Sequence, residues 1–257
     1  ERAKRQFRGD VDTNSESALV SLREDGYCII EGVLEESTCD VVREEIYKIA
    51  RREIQDCTAY RYGNSNLSQR IYHLLFKSSI ANELLMNQTL KDILDGAFMR
   101  QTNHDLYYLT SWHANILNPG ARAQKVHIDE NIPDPIPAWP IRLNVNFIVE
   151  DFTEDNGATI VYPGTHKFLK KPCNIANFKN RKILARKGSI ALWSGKVWHQ
   201  SGANTSLRPR VGLLAGFCNS IMRELVAEED NVRIYSRNKE KYTLDNRLIE
   251  LIGHNHG

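Results

Sequence analysis

The sequence predicts a mainly β protein with flanking helices, an antiparallel sandwich or barrel against which a helical N-terminal third packs. Three observations carry this reading. From about Leu106 onward, short β-prone runs alternate with turn dipeptides such as Asn156-Gly157 and Pro163-Gly164. Before that point apolar residues recur at helical spacing. No internal repeat or composition break divides the 257 residues, a length able to bury one sizeable core. Residues 1–257 are therefore read as a single domain: a helical part over about 15–100, a β core over about 106–220 and a polar, mostly helical tail over about 224–257.

The elements follow in order. Ser15 to Asp25 carries Leu19 and Leu22 among polar residues and stops at Gly26, the residue that best tolerates a left-handed helix end. Tyr27 to Ile30 is a β-prone run closed by Glu31-Gly32, and Ser37 or Thr38 can cap a second helix reaching about Arg52. That helix places Val42, Ile46 and Ile49 on one face. Residues 56–70, rich in Tyr, Asn, Ser and Gly, read as a loop, and a third helical stretch from Leu90 to Leu94 ends at Gly96. Strands are expected over Leu106 to Trp112, Ile141 to Val149, Ala158 to Tyr162, Ser189 to Trp193 and Arg210 to Phe217.

Composition excludes several classes. With 34 Lys+Arg against 32 Asp+Glu the net charge is +2, which predicts no nucleic-acid partner and no anionic membrane. No run approaches the roughly 18 apolar residues of a membrane span, and ERAKRQFRGDVDTNSES is too polar for a signal peptide, so a cytoplasmic setting is expected. The five cysteines are scattered, without a C-x-x-C pair, and read as small buried hydrophobes rather than disulfides or zinc ligands.

Chemistry concentrates at a few positions. In KVHIDE, extended backbone aims His127 and Asp129 at the same face, and His199 follows 72 residues after His127 beside another β-prone run. Two imidazoles and one carboxylate leave three positions of an iron open, whereas structural zinc would want a fourth protein ligand. Eleven residues beyond His199, Arg210 offers a planar, permanently charged fork suited to the far carboxylate of a chelating oxo acid. Arg208 competes for that role but precedes Pro209 at a turn.

His127-x-Asp129, the segment FTEDNGATIVYPGTHK at 152–167, His199-Gln-Ser201-Gly-x-Asn204 and the following Arg210 together resemble the phytanoyl-CoA dioxygenase family of Fe(II)/2-oxoglutarate oxygenases. The resemblance covers about Leu19 to Phe217 and includes the opening GYCIIEGVL. It implies a double-stranded β-helix core of the jelly-roll, cupin-like kind. It also implies His127, Asp129 and His199 as iron ligands, Arg210 on the distal carboxylate of 2-oxoglutarate, Ser201 assisting that arginine and Asn146 lining the co-substrate. Family members acting on phytanoyl-CoA carry an aromatic residue at the position of Asn146, which points this chain toward another substrate. Because Asp129 keeps the carboxylate ligand, halogenation is not expected. The implied reaction uses O2 to convert 2-oxoglutarate to succinate and CO2 while a small, biosynthetic substrate is hydroxylated, desaturated or cyclised, by a monomer or homodimer.

Other readings stand beside this one. An acyl-CoA hydroxylase would use the eight Lys and Arg that lie between Lys167 and Lys187, where no Asp or Glu occurs, to meet an anionic substrate. A non-catalytic β-helix could bind a metal or ligand, and a zinc hydrolase would leave Arg210 without a purpose. His166 reads as a turn residue, His113 as a core or surface histidine with a place on the pocket wall as the alternative, and His254 and His256 as part of the tail. Trp112, Trp193 and Trp198 read as core or pocket wall; Trp139, in the Pro-rich NIPDPIPAWP, is expected to touch substrate from a lid.

Overall fold

The computed structural model describes residues 13–63, 66–98, 107–130, 132–222 and 229–254. Helix α1 (Thr13–Glu24) ends just before Gly26, as its sequence predicts, and β1 (Tyr27–Ile30) follows. Helix α2 (Glu36–Gln55) buries Val42, Ile46 and Ile49 together with Cys39 and Ala50. Neither Ser37 nor Thr38 caps it: both lie within its first turn, and Glu35 holds the cap position without a side-chain hydrogen bond.

The stretch expected to be a loop forms a hairpin, β2 (Tyr60–Tyr62) and β3 (Ser68–Ile71), because backbone pairing with a long neighbouring strand outweighs turn-rich composition. Helix α3 (Ser79–Glu83) precedes α4 (Gln88–Phe98), which runs through Gly96 rather than stopping there. A Cβ on Gly96 would stand 2.5 Å from Leu19 Cδ1, so this glycine serves the packing of α1 on α4.

The remaining strands are β4 (Tyr107–Leu117), β5 (Arg142–Phe147), β6 (Thr159–Val161), β7 (Arg181–Lys182), β8 (Ile190–Ser194), β9 (His199–Ser201) and β10 (Arg210–Asn219). Strand β4 extends beyond the expected end at Trp112, and its expected start, Leu106, lies outside the described residues. All pairings are antiparallel, in a seven-stranded sheet ordered β1-β8-β5-β10-β4-β3-β2 and a three-stranded sheet ordered β7-β6-β9. This is the double-stranded β-helix arrangement.

Alternation along β10 divides the labour of the large sheet. Val211, Leu213, Ala215 and Phe217 join the core formed with the N-terminal helices, while Arg210, Gly212, Leu214 and Gly216 face the space between the sheets.

The tail is integral to this core. Its helices α5 (Asn231–Arg237) and α6 (Asn246–Leu251) bring Tyr235, Leu248 and Ile252 into it. Ahead of them, the buried Glu229 accepts hydrogen bonds from the backbone N–H groups of His73 and Trp112, both at 2.9 Å. Glu229→Ala strands these two donors, so a loss of about 3 kcal/mol in unfolding free energy is expected in urea titration. Glu224, the expected start of the tail, and His256 lie outside the described residues.

Cys28, Cys39 and Cys218 are buried as expected, but Cys57 and Cys173 are exposed. Cys57 follows the end of α2 in a left-handed turn (φ 56°), a surface position that the residue's apolar character did not foretell. No helix among the described residues is long and apolar enough to cross a membrane.

Candidate active site

Backbone pairing brings His127 and His199 together across the intervening chain. The two exchange N–H···O bonds of 2.9 and 3.0 Å, and their ring centroids stand 4.4 Å apart. Two residues on, the Asp129 N–H donates to Gly195 O at 2.9 Å, which fixes the carboxylate beside both rings. Asp129 Oδ1 lies 3.5 Å from His127 Nε2, and Oδ2 lies 3.1 Å from His199 Nε2. One donor atom from each of the three residues falls within 4.8 Å of the others.

Each imidazole spends Nδ1 on a carbonyl two residues earlier, Lys125 O for His127 and Val197 O for His199, both at 2.8 Å. With Nδ1 the N–H donor, Nε2 of each ring keeps its lone pair pointed at the shared centre, the tautomer a metal ligand needs. Burial alone would push the Asp129 carboxyl up, but His199 and His127 outweigh it and hold the group well below the usual carboxylate range. Burial would likewise lower His127, and Asp129 overcomes it and raises its pKa. This donor set and its spacing fit a divalent metal held on one face, with open positions toward the cavity.

Asn144 of β5 orients the carboxylate, donating from Nδ2 to Asp129 Oδ2 at 2.7 Å. Replacing Asn144 by leucine removes that donor, and affinity for Mn²⁺ measured by titration calorimetry is expected to fall by roughly 10- to 100-fold.

From this cluster a cavity of about 250 Å³ runs between the sheets to Arg210. Arg210 is 3% exposed. It donates to the backbone carbonyls of Asn156, at 3.2 Å, and Gly157, and its guanidinium carbon sits 4.2 Å from the centre of the Phe152 ring. Burial pulls its pKa down to about 10, against the pull of Glu150, so it remains charged at neutral pH. Among the described residues no carboxylate lies within ion-pair distance of it.

Gly212 makes room for this side chain: a Cβ there would stand 2.8 Å from Arg210 Nη1. Asn146 lines the same cavity, as do Ser201 and Thr159 from the small sheet. Three buried polar atoms on the cavity wall, Asn146 Oδ1, His113 Nδ1 and Trp193 Nε1, have no hydrogen-bond partner in the protein. A permanently charged arginine and orphaned polar atoms in one small cavity fit a polar, anionic ligand.

The metal-ligand and co-substrate residues singled out in the sequence, His127, Asp129, His199, Arg210, Ser201 and Asn146, thus line one cavity, which also contains several that sequence reasoning did not assign to it. His113, read as core or surface, faces it; burial and the nearby Arg70 and Arg142 push its pKa well down, so the ring is neutral. The period-two pattern of Ser111, His113 and Asn115 between Trp112, Ala114 and Ile116 carried that signal. Gln124 and Arg70 carried none. Arg70 donates to Asn115 Oδ1 at 2.9 Å and lies over the Tyr62 ring at 5.1 Å.

Other expectations move away from the cavity. Trp139 is 40% exposed and does not line it, and the Pro-rich segment buries Ile132 and Ile136 against Ile141 and Cys218 instead of forming a lid. The basic insert lies outside the cavity wall: Lys167 pairs with Glu24, Lys182 with Glu154 and Lys187 with Asp40, while Lys170, Lys171, Lys179, Arg181 and Arg186 are exposed. His166, expected in a turn, lies instead in a single 3-10 turn of helix, Thr165–Phe168, that follows the Pro163-Gly164 turn, with Nε2 3.1 Å from Arg23 O.

Known proteins share this architecture. The family model described as phytanoyl-CoA dioxygenase (PhyH) matches residues 22–212. Dioxygenase af480 of Aspergillus fumigatus is 27% identical over 230 residues, covering 84% of this chain and 71% of its own length. Multifunctional dioxygenase ausE of Aspergillus calidoustus is 28% identical over 229 residues, covering 82% and 74%. Among solved structures, EctD from S. alaskensis with bound Fe superposes with a TM-score of 0.68 at 15% identity, covering 83% of this chain and 79% of that one. The epimerase SnoN in complex with Fe3+, alpha ketoglutarate and nogalamycin RO superposes at 0.63 and 16% identity, covering 80% and 84%. At such identities these two likenesses establish the shared fold.

Proposed function

The chain belongs to the phytanoyl-CoA dioxygenase family, and from that premise we propose that it is an Fe(II)/2-oxoglutarate-dependent dioxygenase oxidising a small organic molecule in a biosynthetic sequence. The single observation that supports the site assignment most strongly is the convergence of the His127, Asp129 and His199 donor atoms on the wall of a cavity that Arg210 also lines. In this reading those three residues hold the iron. Arg210, with Ser201, Thr159 and Asn146 around it, holds 2-oxoglutarate. Bound iron, 2-oxoglutarate and O2 would supply the oxidising chemistry that releases succinate and CO2.

The protein's own contribution is orientation and exclusion of water. The Nδ1–H bonds to Lys125 O and Val197 O lock the imidazoles, and Asn144 turns the Asp129 carboxylate inward. Arg210 sets the direction of the co-substrate through its planar fork, which lies over the Phe152 ring, and Trp193 and Leu214 supply apolar wall. We assign the whole of 1–257 to one oxygenase domain. The absence of a disulfide among the described residues suits a reducing compartment, and we place the enzyme in the cytoplasm.

A second reading, hydroxylation of an acyl-CoA ester, is favoured by one observation: the five exposed cations of the insert have no ion-pair partner among the described residues. Substrate-stimulated succinate release across small carboxylic acids, terpenoid and alkaloid scaffolds and CoA esters separates the two. Stimulation by free small molecules is the expected result; stimulation confined to CoA esters selects the second reading.

A further inference from the structure

Lys196 lies in the turn between β8 and β9, three residues before His199, and is only 5% exposed. Its ammonium donates to three consecutive carbonyls, those of Pro137, Ala138 and Trp139, at 2.9, 3.0 and 3.0 Å. All three of its N–H bonds are thereby spent on backbone. Segment 132–141 needs such a partner, because Pro133, Pro135, Pro137 and Pro140 have no N–H and cannot enter a strand ladder.

The adjacent residue completes the attachment. Gly195 O accepts from the Asp129 N–H, and Gly195 N donates to Arg142 O, both at 2.9 Å. The chain leaving Asp129 is therefore fastened at its two ends, residue 129 and residues 137–139, to one two-residue corner. Glu130, wholly buried next to Asp129, packs against that corner: a Cβ on Gly195 would stand 2.9 Å from Glu130 Cγ. The same corner leads directly to His199.

We infer that Lys196 is a positioning residue for the metal site, tying the segment after Asp129 to the turn before His199 and so fixing the separation of two ligands that come from distant parts of the chain. The inference rests on the ligand roles proposed above for His127, Asp129 and His199. Lys196 touches neither metal nor substrate in this account and acts through the backbone.

The test is Mn²⁺ titration by calorimetry on the full chain, comparing the wild type with His199→Ala, Lys196→Met and Lys196→Arg, with circular dichroism melts of each. Lys196→Met is expected to stay folded and bind Mn²⁺ about tenfold more weakly. Lys196→Arg, which can still donate to the carbonyls, should recover part of the loss. A purely structural lysine would lower the melting temperature and leave the Mn²⁺ affinity of the folded variant within about twofold of wild type; that result overturns the inference while the ligand roles stand. Absence of Mn²⁺ binding by the wild type overturns both. Should Lys196→Met not fold, hydrogen exchange of the wild type decides: added Mn²⁺ should slow exchange over 132–139, and unchanged exchange there overturns the inference.

Discussion

Asp129→Ala is expected to reduce Mn²⁺ affinity by more than the roughly 100-fold upper bound set for the loss of a supporting residue such as Asn144, and to bring succinate formation below detection. The carboxylate supplies the anionic member of the donor set, and it is also the group that faces both Nε2 atoms, at 3.5 and 3.1 Å. Its removal leaves two neutral imidazoles, which hold a hard divalent cation poorly. The fold should survive, since the Asp129 N–H keeps its bond to Gly195 O whatever the side chain. Calorimetry and a thermal melt on the same sample check both halves: full metal affinity in the folded variant would remove Asp129 from the ligand set.

Arg210→Met is expected to raise the dissociation constant for 2-oxoglutarate by about 150- to 5000-fold, the equivalent of the roughly 3–5 kcal/mol lost when one partner of a buried charge pair is deleted. The side chain is buried and within ion-pair distance of no carboxylate among the described residues, so a ligand carboxylate is the natural partner for its charge. Arg210→Lys should recover little, because an ammonium cannot reproduce the two-pronged geometry. Turnover at saturating 2-oxoglutarate should fall far less than affinity, which separates loss of co-substrate binding from loss of chemistry. An unchanged affinity would place the co-substrate elsewhere in the cavity.

The site was legible in the sequence where chemistry and strand alternation coincide. His127-x-Asp129 reads as two side chains on one face of extended backbone, and Arg210 opens a strand whose alternate residues point inward. The cross-strand bridge between His127 and His199 was reachable only through the resemblance, since nothing local in either segment names the other. Arg70 and Tyr62 were hidden because their strands are three or four residues long within a turn-rich stretch and exist by pairing with β4. Lys196 escaped notice for a related reason: its partners are carbonyls about sixty residues away, and a backbone carbonyl carries no sequence signature. The helical layer was clearer, because Val42, Ile46 and Ile49 repeat at the spacing that buries one face, whereas Gly96 looked like a stop and is a contact.

The most direct measurement is O2-dependent conversion of 2-oxoglutarate to succinate by protein loaded anaerobically with Fe(II), with His199→Ala run in parallel. The account predicts succinate in step with 2-oxoglutarate consumed by the wild type, slow without substrate, and none from the variant. Failure of the wild-type protein to bind Fe(II) and 2-oxoglutarate, or equal succinate formation by the variant, would contradict it.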